Sequence, residues 1–225
     1  MTNNQHDALC SSLEKAFLEN ALKDQQISHD ASHDIHHARR VKQNALAIAT
    51  REGEGNHSIL IAAAYLHDLI NVPKNAPNRH AASKLSADAA HPILINLDFS
   101  QADIMAIQHC IEAHSFSANI EPTTLEARIL QDADRLESLG ALGIARTFYI
   151  AARLDSELFD GADPFAQNRP LDDKRFAVDH FKTKLLTLAN TMKTQAGKAI
   201  AEERTATMRM FLSALADEIG ATQTW

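Results

Sequence analysis

Turn formers are scarce in this chain. Its 225 residues include 7 glycines and 6 prolines, which argues against a many-stranded sheet, whose hairpins draw on both. Cysteine is scarcer still: Cys10 and Cys110 are the only two, far apart in sequence. That excludes a disulfide framework and predicts two free thiols in a reducing compartment. No apolar stretch reaches the roughly 18 residues of a membrane span. The opening MTNNQHDALC has neither the basic nor the apolar region of a secretory signal. The expectation is a soluble cytoplasmic protein with no membrane partner. Positive charge is also in deficit, with 22 Lys and Arg against 29 Asp and Glu and a net charge of −7. Non-specific nucleic-acid binding needs clustered bases, so no nucleic-acid partner is expected. A phosphorylated substrate would need a metal ion and a few local bases to counter its charge.

Ala and Leu are plentiful, and 45% of residues are hydrophobic. Apolar positions recur at three and four, never in sustained alternation, so the fold class is all-α. Helices are predicted over about 7–24, 33–52 (capped by Ser32 or Asp30), 57–70, 80–97 (with Pro92 as a kink) and 100–114 (capped by Ser100 with Asp103). A further helix runs from 123 or 124 to about 153, broken near Gly140. Loop 160–173 reads as a surface connection or a lid. Two long C-terminal helices, about 174–195 and 197–219, complete a single domain over 1–225.

One stretch asks for chemistry. IAAAYLHDLINVPK, residues 61–74, runs an apolar helix straight into adjacent His67 and Asp68, then returns to Leu69 and Ile70. Buried charge is expensive unless paired or bound to a metal. His-Asp also occurs at His6, His29 and His33, so the dipeptide alone means little, and a core histidine bonded to a carbonyl competes with a metal ligand. His33 and His37 are four apart and would share a helix face, as two-histidine metal sites do. In ILQDADRLESLG, Asp132, Asp134, Arg135 and Glu137 interrupt an apolar helix, which salt bridging with Arg128 and Arg135 would also explain. His109 and His114, five apart, do not share a regular helical face.

Taken together, the order and types match a known pattern. His37 stands four before Val41 in HARRV, His67-Asp68 follows on the next helix, and Asp134 stands in DADRL. This resembles the HD-domain superfamily of metal-dependent phosphohydrolases, whose ligands are a His, a His-Asp pair and a distant Asp. The resemblance selects His37 over His33 and Asp134 over Asp132. SHDIHHARRV, LHD…K…PNR, HSFS, DADRLESLGALGIAR and HFKTKLLTLANTMKT extend it, over about 28–210, to the small bacterial YedJ-like branch. It implies an HD-type helical bundle with its metal-site core at about 28–140.

The implied ligands are His37, His67, Asp68 and Asp134 around one divalent ion. A mixed N/O set suits Mn²⁺, taken here as the expected ion, or Mg²⁺, Fe²⁺ or Zn²⁺. Asp68 would also act catalytically, orienting the attacking water. His33, Lys74, Arg79 and His114 are expected to bind the substrate's phosphates. The implied substrate is a small phosphorylated molecule, a nucleoside triphosphate cleaved with pyrophosphate release. Alternatives are a phosphodiesterase or signalling-nucleotide hydrolase, and an HD domain that binds a nucleotide or partner without turnover.

Overall fold

The computed structural model describes residues 3–23, 34–70, 72 and 79–225, the side chains of 3, 4, 21–23 and 79 excepted. Among them are nine α-helices and no strand, only an isolated parallel bridge between Glu157 and Phe176. No helix among them is long and apolar enough to cross a membrane. The chain packs as two compact units, Met1–Asp134 and Arg135–Trp225.

In the first unit, α1 (Asn3–Lys23), α2 (Ile35–Glu52), α4 (Ala82–Asn96) and α5 (Gln101–His114) all touch α3 (His57–Leu66). Residues 59–66 of α3 are all buried, and a helix that is apolar all round is stable only when enclosed. Asn56 starts it, its side chain accepting from the Ser58 and Ile59 N–H groups. It ends at Leu66, four residues earlier than the apolar run suggests. α2 begins at Ile35, not 33, because Asp34 rather than Ser32 or Asp30 supplies the cap: its carboxylate accepts from the His37 N–H at 2.8 Å. Gly53 stops α2 in the left-handed region (φ +76°), which favours glycine. Ser100 caps α5 as predicted, accepting from the Asp103 N–H. Pro92 lies inside α4. α6 (Leu125–Arg135) closes the unit.

The second unit holds α7 (Gly140–Arg153), α8 (Ala177–Thr183) and α9 (Gln195–Glu218). The predicted break falls at Gly140, where φ is +72° and a Cβ would meet the Arg204 side chain at 3.2 Å. Phe148, Phe181 and Phe211 pack with ring centroids 5.7–6.1 Å apart. Of the two long C-terminal helices expected, only α9 is long. α8 has seven residues and passes into a 3₁₀ stretch, Leu185–Thr191. Thr187 and Thr191 each donate a hydroxyl to the carbonyl three residues back, both at 2.7 Å, a local bond that competes with α-helical pairing. Loop 160–173 is bonded to its own unit: Arg169 grips the fully buried Asp179 with two bonds of 2.6 and 2.8 Å. The Trp225 indole donates to the Phe165 carbonyl at 2.7 Å.

Candidate metal centre

Three helix ends in the first unit bring donors to one point. His67 is the first residue after α3, and its Nδ1 donates to the Ala64 carbonyl at 2.9 Å. His114 is the last residue of α5, and its Nδ1 donates to the Ile111 carbonyl at 2.6 Å. Both carbonyls lie in the last turn of a helix, where intrahelical donors run out. An Nδ1–H spent in this way leaves Nε2 as the lone-pair nitrogen when the ring is neutral, the form a metal requires. The backbone after His67 is also tied down. Asn20 Nδ2 donates to the Leu69 carbonyl at 3.1 Å, and the Ile70 N–H donates to Ser86 Oγ at 3.1 Å.

His37, in the first turn of α2, completes the arrangement from the opposite side. Its Nε2 lies 3.2 Å from His67 Nε2, 3.4 Å from Asp134 Oδ1 and 3.8 Å from Asp68 Oδ2. His67 Nε2 lies 3.3 Å from Asp68 Oδ2 and 4.0 Å from Asp134 Oδ1. The other Asp68 oxygen, Oδ1, faces His114 Nε2 at 3.6 Å. His37, His67 and His114 are buried, while Asp68 and Asp134 keep partial access to solvent.

Two ring nitrogens at 3.2 Å need a proton or a cation between them, and the carboxylate oxygens around them favour positive charge there. Without an ion, protons supply it. Burial works against charging His114, but Asp68 and then Asp134 outweigh it and hold its pKa above the ordinary histidine value. Burial likewise pushes the Asp134 carboxyl up, but its bond to His37 and the imidazoles of His67 and His114 prevail and hold it below the ordinary range. A divalent cation answers the same demand. Donors bonded to one ion at about 2.0–2.2 Å stand roughly 3–4 Å apart, and donor atoms within 4.8 Å of one another form two trios that share His67, one with His37 and Asp134 and one with Asp68 and His114. The residues present fit the group.

Residues 34–139 match the HD domain family. The chain is 32% identical, over 84% of its own length and 85% of the relative's, to the uncharacterized protein YpgQ of Bacillus subtilis. The chain belongs to the HD-domain superfamily. An HD-superfamily hydrolase from Bacillus thuringiensis superposes with a TM-score of 0.71 at 28% identity, covering 96% of this chain and all of the other. YpgQ crystallised in complex with ADP superposes with a TM-score of 0.69 at 25% identity, covering 95% and 96% of the two chains.

Within this HD domain, the structure gathers His37, His67, Asp68 and Asp134, with His114 against Asp68. Asp132, two residues from Asp134, is fully buried and stands in neither trio of donors close enough to share an ion. His109 accepts from the Thr123 N–H at 3.0 Å and caps the approach to α6. His33 and Lys74 lie outside the described residues. Arg79 opens a short 3₁₀ turn, Arg79–Ala81, and its side chain also lies outside the description.

Two supporting residues escaped sequence reasoning. Asn44 on α2 donates to the Ala133 carbonyl at 3.1 Å, and Gln131 on α6 donates to the Ala113 carbonyl at 2.7 Å. Each bond fixes the backbone beside a functional side chain, Asp134 in one case and His114 in the other. The signal for Asn44 was available: a polar residue seven after His37, on the same apolar stripe as Val41 and Ile48.

Proposed function

We propose that this HD-family hydrolase uses a divalent ion, Mn²⁺ in our reading, to cleave nucleoside triphosphates into monophosphate and pyrophosphate in the cytoplasm. The observation carrying the metal is that donor atoms of His37, His67 and Asp134 lie within 4.8 Å of one another, with Asp68 Oδ2 3.3 Å from His67 Nε2 and 3.8 Å from His37 Nε2. Support for a nucleotide comes from YpgQ, a relative crystallised with ADP. His37 and His67 would hold the ion through Nε2, and Asp68 and Asp134 through one oxygen each. When bound, the ion supplies a Lewis acid for a phosphoryl oxygen and acidifies water.

The chain's own groups account for the remaining tasks. Asp68 divides its two oxygens, Oδ2 toward the imidazoles of His67 and His37 and Oδ1 toward His114. That division lets one carboxylate hold the ion and orient the attacking water. The water oxygen bonds to the α-phosphorus, the α–β anhydride P–O bond breaks and pyrophosphate leaves, while the water's proton passes to the Asp68 carboxylate and on to solvent. His114, with Nδ1 fixed on Ile111, presents Nε2 as a donor to a phosphate oxygen whenever it is protonated. Lys74 and Arg79, on the segment after the His-Asp pair, are assigned to the remaining phosphate charge, together with His33.

The test is direct. Metal-stripped protein restored with Mn²⁺ is incubated with ribo- and deoxyribonucleoside triphosphates, and products are resolved by anion exchange. Monophosphate with pyrophosphate is expected. Diphosphate with orthophosphate would move the cut, and silence with metal bound would overturn the reading in favour of a binding domain or another phosphate substrate.

A further inference from the structure

The first unit contains four Phe and Tyr residues: Phe17, Tyr65, Phe99 and Phe116. Phe17 and Tyr65 are buried and Phe99 is half-buried, but Phe116 is 87% exposed. It lies in HSFS, two residues beyond His114. Other exposed apolar side chains of this unit, such as Met105 and Ile95, are flexible aliphatics within α5 and α4, of the scattered kind that needs no explanation. A rigid aromatic ring turned to solvent two residues from a buried histidine of the donor cluster is different.

The backbone places it there by construction. His114 ends α5, Ser115 turns extended (φ −74°, ψ 127°) and residues 116–119 form a turn. Ser115 Oγ and Ser117 Oγ lie 3.0 Å apart and bridge over Phe116. Asn119 holds the left-handed conformation (φ +52°) as the chain turns back. Two trans peptide units limit the Cα separation of Phe116 from His114 to about 7.6 Å, and His114 Nε2 faces Asp68. The exposed ring is therefore carried on the turn that directly follows His114, one of the groups assigned to phosphate.

We propose that Phe116 is the platform on which the nucleobase of the substrate stacks. This rests on the nucleotide reading and adds the element that would make the site prefer a nucleotide to a bare polyphosphate. Every base offers a π-face, so an aromatic platform tolerates all of them, with purines favoured by their larger area. The inference therefore predicts broad base tolerance with a purine bias.

The experiment is calorimetric titration of the Mn²⁺-loaded protein with ADP and, separately, with inorganic pyrophosphate, for wild type, F116A and F116W. The expected result is an ADP affinity about tenfold weaker in F116A, the effect of losing one base–aromatic stack, with the ADP-to-pyrophosphate ratio restored in F116W. One ratio shared by all three proteins overturns the proposal. So does equal loss of both ligands in F116A, which would mean a collapsed turn. An F116A protein with unchanged ADP affinity that sediments as a monomer where wild type is a dimer would reassign the ring to a contact between copies. The readout needs no turnover. A wild type that binds ADP through Phe116 yet cleaves no triphosphate defeats the hydrolase reading and leaves this one standing.

Discussion

Replacing Asn44 by alanine removes a donor 3.1 Å from the Ala133 carbonyl without touching any proposed ligand. Ala133 adjoins Asp134 near the end of α6, where carbonyls run short of helical partners. Asn44 is two turns along α2 from His37, so one side chain ties the helix bearing one proposed ligand to the backbone bearing another. Depriving a buried carbonyl of its donor costs about 1–3 kcal/mol. For a chain of this size each kcal/mol moves Tm by about 2–4 °C, so N44A should melt about 2–12 °C below wild type in the metal-free state. Loss of an outer-shell partner typically weakens a metal site about 10–100-fold, and the same is expected here in a Mn²⁺ titration. N44D should be worse on both counts, since it sets a carboxylate oxygen against the carbonyl it replaces a donor for. Scanning calorimetry with and without Mn²⁺, beside the metal titration, reads both effects. An N44A protein with wild-type Mn²⁺ affinity would refute the claim that this bond positions Asp134.

D134N should abolish Mn²⁺ retention with helicity intact, whereas D132N should keep the ion and lose only stability, about 1–3 kcal/mol for a buried polar group that loses part of its bonding; metal content and circular dichroism of the two variants check this, and the reverse order would move the site. The Arg39 guanidinium, bonded to Glu14 at 2.7 and 3.0 Å, holds that carboxyl down at about 2 against the opposing effect of burial, with the Tyr65 hydroxyl adding to the pull. A depressed carboxyl stabilises the fold above its unfolded value of 4.5 and loses that contribution as pH falls toward about 2. E14Q should therefore flatten the acid limb of stability against pH by ~1–2 kcal/mol after solvent screening, measured by urea unfolding between those limits. A Cβ on Gly143 would lie 2.3 Å from the Ser138 carbonyl oxygen, so G143A should destabilise the second unit by about 3 kcal/mol, the upper end for overpacking against backbone, visible as a lowered urea midpoint.

Much of the first unit was legible because its signals are local. An apolar run with no polar face announces an enclosed helix and Ser100 with Asp103 announces a cap, as Gly140 announces a break in the second unit. The end of α3 was not legible: the sequence stays apolar through Ile70, and the helix stops because His67 takes the Ala64 carbonyl. The start of α2 went to Asp34 over Ser32 and Asp30, a choice among three good caps that the one-dimensional pattern cannot rank. α8 gave way to a 3₁₀ stretch where threonine hydroxyls compete for carbonyls, although the apolar spacing alone suits a long helix.

The proposed ligands are a mixed case. Each of the four is ambiguous by itself, and spacing along the chain does not join residues on α2, α3 and α6. Their order against a family pattern singled them out, and the structure sets Asp68 and Asp134 each within 4.0 Å of both His37 and His67. Gln131 had no such pattern behind it, and Asn44 had only its place on the apolar stripe of α2. Their importance comes from which backbone carbonyl they reach across the fold, 89 and 18 residues away, and sequence spacing carries no trace of that.

The most direct test of the central claim is an anomalous difference map from crystals of the Mn²⁺-loaded protein, recorded at the manganese edge. A single peak bonded to His37 Nε2, His67 Nε2 and one carboxylate oxygen each from Asp68 and Asp134 is predicted. A peak held by other residues, one that omits Asp134, or no peak within the cluster would contradict it.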